Sequence, residues 1–145
     1  MKNFFKFVAS FFIVIFVIEV CLIKCSSAQL LRVTSDSNGA VYYLNTEKCD
    51  WMEDNYGNCV GLALVRCVEK MKSTYLELIV EFRRNANYSR KDAFADYCIK
   101  GIWSYDSKSG ALLNSSTKLD FSFEPAIYGT IPDFILGALL DNCSK

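Results

Sequence analysis

The cysteines constrain this chain most strongly, because they occur together with an N-terminal export pattern. Seven cysteines are present, and five of them follow residue 28: Cys49, Cys59, Cys67, Cys98 and Cys143. Disulfides form in oxidising compartments, where they stabilise small secreted domains. Because five is an odd number, at least one thiol has no partner within the chain after residue 28. We therefore expect a disulfide-supported fold with a leftover thiol.

Residues 1–28 have the pattern of a secretory signal peptide. Lys2 and Lys6 form a basic start, residues 8–18 are an apolar run interrupted only by Ser10, and residues 26–28 place small side chains at a cleavage site. A membrane anchor is the alternative, but the apolar run is shorter than the roughly 20 residues that a spanning helix needs. The pattern predicts cleavage after Ala28 and a single secreted domain, residues 29–145, with no stable membrane insertion.

Composition excludes several classes of function. The chain has 16 basic and 16 acidic residues and a net charge of zero, so it has no long-range field that would attract nucleic acid or anionic membranes. It has no histidine, which removes the usual general base, the Ser-His and Cys-His nucleophile pairs and the histidine-dependent zinc sites. We therefore expect a protein that is not an enzyme, with no catalytic residue, metal or cofactor and no nucleic-acid partner.

Three tripeptides match the acceptor pattern for N-glycosylation, at Asn87, Asn114 and Asn142. A glycan must face water, so an occupied site in a secreted chain marks an exposed backbone. Asn87 and Asn114 lie in stretches rich in serine and asparagine. Asn142 is adjacent to Cys143, where a disulfide would hinder the transferase. The pattern predicts a glycoprotein.

The most regular apolar pattern lies within residues 60–82, where apolar residues recur at three- and four-residue steps. This spacing predicts a long amphipathic helix, preceded by a helix cap at Gly57 and Asn58. Residues 75–82 also fit a period of two. Thr74 and Glu77 have the spacing of a capping box, which would begin a new helix at this point. A strand over residues 75–82 therefore stays open as an alternative to the second half of the helix.

Four further elements are predicted downstream. Ser89 with Asp92 favours a short second helix that ends near Gly101. Residues 102–105 and 111–113 flank a glycine-containing loop and predict a hairpin. Alternation over residues 119–123 predicts a third strand, and a last helix begins after Thr130 and runs to about residue 140. The resulting fold class is α+β: a helix-rich single domain with a small antiparallel hairpin or three-strand sheet.

The predicted long helix restricts the disulfide pattern. Cys59 and Cys67 would lie about 12 Å apart along it, too far to bond to each other. We expect Cys59 or Cys67 to bond to Cys98, and Cys49 to bond either locally or to Cys143. The leftover thiol would then either link two chains as a homodimer or stay buried and unreactive.

Residues 50–58 contain the chain's candidate site residues. Asp50, Glu53 and Asp54 lie beside Trp51, so they are candidates for a hydrolase's carboxylate pair or for calcium ligands. Their spacing fits no calcium loop, and acidic residues in a polar turn are usually only solvated. Trp51 and Tyr56 are candidate contacts for a protein partner, because aromatic side chains are enriched in interfaces. The alternative is that Trp51 folds inward.

The last helix raises a second functional hypothesis. Because its residues are apolar around nearly the whole circumference, it is either buried or in contact with an apolar ligand held against Phe121 and Phe123. The sequence thus predicts a secreted, non-catalytic extracellular binding or recognition protein, whose partner is an extracellular protein. The alternatives are a carrier of a small apolar ligand and a carboxylate-dependent hydrolase.

Overall fold

The structure, a computed structural model, describes residues 29–117 and 121–143. These residues form one antiparallel sheet of seven strands and a single C-terminal helix. The elements are β1 (Leu30–Ser35), β2 (Val41–Glu53), β3 (Cys59–Val68), β4 (Thr74–Arg84), β5 (Ala93–Asp106), β6 (Leu112–Ser116), β7 (Glu124–Ile127) and α1 (Ile131–Cys143). Strands β1 to β6 follow one another in sequence order, and β7 also pairs with β5. The prediction of a helix-rich α+β domain is therefore wrong.

The predicted long helix is the β3–β4 hairpin. Along β3, odd-numbered residues from Cys59 to Cys67 are buried, while Val60 and Leu62 between them are 36% and 41% exposed. Because both alternating sets are largely apolar, the segment also fits a helical period, although the branched side chains of Val60, Val65 and Val68 favour a strand. The strand alternative for residues 75–82 is confirmed, as part of β4.

The predicted second helix is also wrong, because residues 93–106 form β5. The pairing of β4 with β5 shifts between Ile79 and Val80, which leaves Lys100 as an extra residue in β5. Such a bulge changes which residues point to each face of the sheet halfway along the strand. The sequence of β5 therefore shows no continuous period of two. Asp92 binds Arg90 instead of capping a helix, with an Nη2–Oδ2 distance of 2.8 Å.

Two predicted elements are present. The hairpin after Gly101 is formed by β5 and β6, and Gly110 in its loop has a φ of +70°. The last helix extends from Ile131 to Cys143. Residues 119 and 120 of the predicted third strand lie outside the described residues, as does the predicted signal peptide. The next strand is β7, which begins only at Glu124.

Helix α1 lies across one face of the sheet, here called the inner face, and contacts mainly β2, β1 and β7. Ile135, Leu136 and Leu139 of α1 are buried against side chains of the sheet. The sheet's buried contribution is Leu44, Ala63, Val65, Val80, Phe82, Ala95 and Ala126. The opposite, outer face is not covered by α1. Among the described residues, no helix has the length and apolar character needed to cross a bilayer.

A disulfide between Cys49 and Cys143 joins β2 to the last turn of α1, with a Cα–Cα distance of 6.0 Å. It connects residues 94 positions apart, so it closes a loop that runs from the end of β2 through β3–β7 and α1. Such long-range closure restricts the unfolded chain strongly. The bond therefore fixes the helix against the sheet at the end that would otherwise fray.

Candidate binding surface

The outer face carries an open apolar groove formed by residues of strands β2, β3, β4 and β5. Its volume is about 410 Å³. The lining side chains include Lys48, Leu62, Leu64, Glu77, Ile79, Trp103 and Tyr105. These residues reach the outer face because their alternating neighbours, such as Ala63 and Val80, point into the core. We call this region the outer-face groove.

The side chain of Trp103 lies over Gly101 within the outer-face groove. A Cβ atom added at Gly101 would overlap the indole ring, so the ring rests directly on the glycine's backbone. Packing of an aromatic ring over a strand glycine compensates for the missing side chain. The backbone of β5 therefore supports the indole ring, and α1 does not contribute to the position of Trp103.

A set of charged and aromatic side chains fixes the end of the groove near Tyr105. The Arg66 Nη2 atom is 2.6 Å from Glu77 Oε1, and the Arg66 guanidinium lies 4.4 Å from the centroid of the Tyr75 ring. Tyr75 in turn stacks on Tyr105, with ring centroids 5.1 Å apart. These cross-strand contacts hold the side chains in one arrangement before any partner binds.

The structure separates the two aromatic residues predicted to contact a partner. Trp51 is half-buried on the inner face, and its ring centroid is 6.4 Å from that of Phe94. Tyr56 lies in the β2–β3 turn and is 81% exposed. The inward alternative for Trp51 is therefore the one observed, and the two rings form no common patch.

The acidic residues of this region do not converge. Asp50 and Glu53 are three positions apart in β2, so strand alternation places them on opposite faces. Asp54 accepts hydrogen bonds from the backbone N–H groups of Tyr56 and Asn58 and from the Asn58 side chain, at 2.8, 2.9 and 2.8 Å. The hydrogen bond from the Asn58 side chain contributes most to lowering the pKa of this carboxyl.

These hydrogen bonds show that Asp54 stabilises the β2–β3 turn. Gly57 takes a φ of +81° there, so the predicted helix cap at Gly57 and Asn58 is a hairpin turn. Because the Asp54 carboxylate already accepts three hydrogen bonds from the chain, it is a poor candidate for metal ligation. Within residues 29–117 and 121–143, no group of three or more His, Cys, Asp or Glu side chains is placed to hold a metal ion.

Besides the bonded pair, the described residues include three cysteines, Cys59, Cys67 and Cys98, which are buried free thiols. The predicted bond from Cys59 or Cys67 to Cys98 is wrong, because strands of the sheet hold these side chains apart. The pKa values of the Cys59 and Cys67 thiols are raised, mainly because the thiols are buried. The Cys98 thiol donates to the backbone carbonyl of Phe121 at 3.1 Å. A disulfide between two chains through any of them would require local opening.

All three glycosylation candidates are exposed. Asn87 lies in the loop after β4, Asn114 lies in β6, and Asn142 lies in the last turn of α1. The Asn142 side-chain nitrogen donates to the Ala138 carbonyl at 2.8 Å, next to the disulfide at Cys143. Asn87 and Asn114 are therefore more accessible for attachment than Asn142, and glycosylation stays a prediction at each.

The carrier hypothesis requires that α1, Phe121 and Phe123 surround one cavity. In the described part of the chain they do not. Phe121 borders a half-open groove of about 300 Å³, whose other lining residues come from β5, from Ser122 and from Glu124 at the start of β7. Phe123 lies between Arg83 and Lys100, at 4.5 and 4.9 Å from its ring centroid. Helix α1 contributes no side chain to that groove, because its apolar residues pack into the core.

The residues of the outer-face groove were not singled out from the sequence. The available signal was the apolar character of both alternating sets in residues 59–68, which is typical of a strand with two apolar faces. One set packs toward α1, whereas in the other set Val60 and Leu62 are 36% and 41% exposed.

Comparison of the chain with protein-family models and with curated proteins, and of the fold with solved structures, found no match.

Proposed function

We propose that this chain is a secreted, disulfide-bonded glycoprotein that acts as a non-catalytic extracellular binding protein, and that its outer-face groove binds another protein. The export pattern of residues 1–28 and the three exposed acceptor asparagines support secretion and glycosylation. The Cys49–Cys143 disulfide fits an oxidising compartment. The observation that carries the binding role is the apolar groove on a sheet face that α1 does not cover.

The outer-face groove has the composition of a protein interface. Apolar and aromatic side chains occupy its centre, and Lys48 and the Arg66–Glu77 pair lie around them. Interfaces likewise combine an apolar, aromatic centre with a polar rim. Because the side chains project from paired strands and are already fixed by cross-strand contacts, binding would cost little ordering entropy.

A protein partner fits the groove better than a small ligand does. Sites for small molecules bury about 70–90% of the ligand's surface. The outer-face groove lies open along the sheet, so a small ligand there would keep much of its surface in water. A protein can cover Leu62, which is 41% exposed, together with the adjacent side chains.

The test compares affinity capture by three secreted proteins: the wild type, Leu62→Glu and the control Leu112→Glu. Leu62 lines the groove, whereas Leu112 is 55% exposed in β6 and does not. Each protein is immobilised and exposed to extracellular fluid from the source organism, and circular dichroism verifies that the variants fold. A partner's affinity should fall at least about tenfold for Leu62→Glu, because a buried carboxylate must be desolvated.

The control variant should retain the same partner with the affinity of the wild type. Retention of identical proteins by all three forms would contradict the assignment of the outer-face groove. Failure of the wild type to retain any protein would contradict the proposed binding role.

A further inference from the structure

Strand β2 is paired along only part of one edge. Its 13 residues extend from Val41 to Glu53, but β1 pairs only with residues 41–45. Residues 49–53 pair with β3 on the other side. Among the described residues no strand pairs with the second edge of residues 49–53, which we call the β2 edge.

The direction of the backbone groups at the β2 edge follows from the turn. The Asp54 N–H donates to the Asn58 carbonyl at 2.9 Å, so the backbone of Asp54 faces β3. In an antiparallel pair alternate residues face the same neighbour, and therefore Asp50 and Met52 also direct their backbone groups to β3. Cys49, Trp51 and Glu53 direct their N–H and C=O groups away from β3, along the open edge.

The β2 edge is ordered before any partner binds. The disulfide from Cys49 fixes one end to α1, and the Trp51 side chain packs on the inner face against Phe94. A groove of about 720 Å³ runs beside the edge, with Asn142 and Cys143 among the residues that line it. There is thus space for one extended chain next to the open backbone groups.

Charge indicates which extended chain fits. Asp50 and Glu53 both line the groove and are exposed, and neither forms a salt bridge with another described residue. They project on opposite faces of β2, so carboxylates lie on both sides of an added strand. Two copies paired through this edge would place the carboxylates of both chains on the same faces of the joined sheet, and like charges on neighbouring strands are destabilising.

We propose that the β2 edge binds a basic, extended segment of a partner protein, which adds to the sheet as a further strand. In this mode main-chain hydrogen bonds supply the affinity and side chains supply the specificity. The backbone groups of Cys49, Trp51 and Glu53 bond the added strand, and Asp50 and Glu53 select lysine or arginine. This site is distinct from the outer-face groove, so either proposal can fail alone.

The test uses the protein secreted from eukaryotic cells, with its N-glycans removed enzymatically. The probe is a synthetic peptide of alternating lysine and valine, and its control is the same peptide with every second backbone amide N-methylated. N-methylation blocks strand addition while it preserves charge and side chains, so the peptide's affinity should fall at least about tenfold. In hydrogen-exchange NMR the unmethylated peptide should slow exchange of the Trp51 and Glu53 amides.

A charge-neutral double variant tests the specificity. Asp50→Asn with Glu53→Gln should weaken binding of the basic peptide and reduce its dependence on salt. The matched control, Glu69→Gln with Glu124→Gln, removes two carboxylates elsewhere on the surface and should bind like the wild type.

Three results would overturn the proposal. They are equal affinity for the N-methylated peptide, protection that maps to amides outside β2, and absence of binding by the basic peptide. Protection of Trp51 and Glu53 that grows with protein concentration, without peptide, would assign the edge to a second copy of the chain and would also overturn it.

Discussion

Replacement of Gly61 by alanine should destabilise this protein, although the same replacement in a helix usually stabilises. Gly61 lies in β3 directly opposite Trp51 of β2. A Cβ atom built on Gly61 would lie 2.5 Å from Trp51 Cε3 and 2.8 Å from Leu139 Cδ2. The added methyl group would therefore enter the contact between the sheet and α1, where neither neighbour can move without disturbing the core.

Two opposing contributions set the size of the effect. Overpacking of a well-packed core costs about 1–3 kcal/mol. Replacing glycine by alanine also lowers the entropy of the unfolded chain and returns about 0.4–1 kcal/mol. The free energy of unfolding should therefore fall by about 1.3 kcal/mol for Gly61→Ala, the difference between the midpoints of the two ranges.

Gly137→Ala is the matched control. Gly137 lies inside α1 with nothing within 4 Å of a Cβ atom built on it. The substitution should raise the free energy of unfolding by about 0.5–1 kcal/mol. Equilibrium urea unfolding measures both variants against the wild type. A Gly61→Ala protein as stable as the wild type, or more stable, would refute the packing of β2, β3 and α1 described above.

Three further outcomes are expected. Cys49→Ala with Cys143→Ala should lower the free energy of unfolding by about 2–5 kcal/mol in urea titrations; an unchanged midpoint would show that the bond is not formed. The three buried thiols should react with a thiol reagent only in denaturant, and rapid native reaction would contradict their burial. Burial and a 2.8 Å hydrogen bond to Asp96 raise the pKa of Tyr88 from 10.0 to about 12, so its contribution to stability should be complete below pH 10 and lost as pH rises to about 12. The stability difference between wild type and Tyr88→Phe should accordingly shrink over that interval, and a constant difference would contradict the assigned contact.

The helix and the hairpin that the sequence predicts correctly are marked by characteristic residues at their own ends or turns. The last helix has Thr130 and Pro132 at its start, and the β5–β6 hairpin has a loop that ends in Gly110. The β3 strand lacks such a signal, because apolar residues on both of its faces fit a helical period as well. Only pairing with β2 and β4, which the sequence does not display, distinguishes the two structures.

The candidate surfaces were less predictable than the elements. The outer-face groove combines side chains from residues 48 to 105, and its membership depends on strand register. The β2 edge depends on where β1 ends, which is a tertiary property. The partner of Cys49 was left open because bonds over 94 residues follow the fold and not the spacing. By contrast, the sequence already offers the inward position of Trp51 as an alternative.

Both proposals depend on the register of β2, β3 and β4, so the most direct test is the pattern of nuclear Overhauser effects between α-protons. In antiparallel sheets the residues of non-hydrogen-bonded pairs approach most closely. The register places Trp51 opposite Gly61 and Leu64 opposite Ile79 in such pairs. The account predicts strong α-proton contacts for both pairs. Contacts between residues three positions apart throughout residues 60–72, as in a helix, would contradict it.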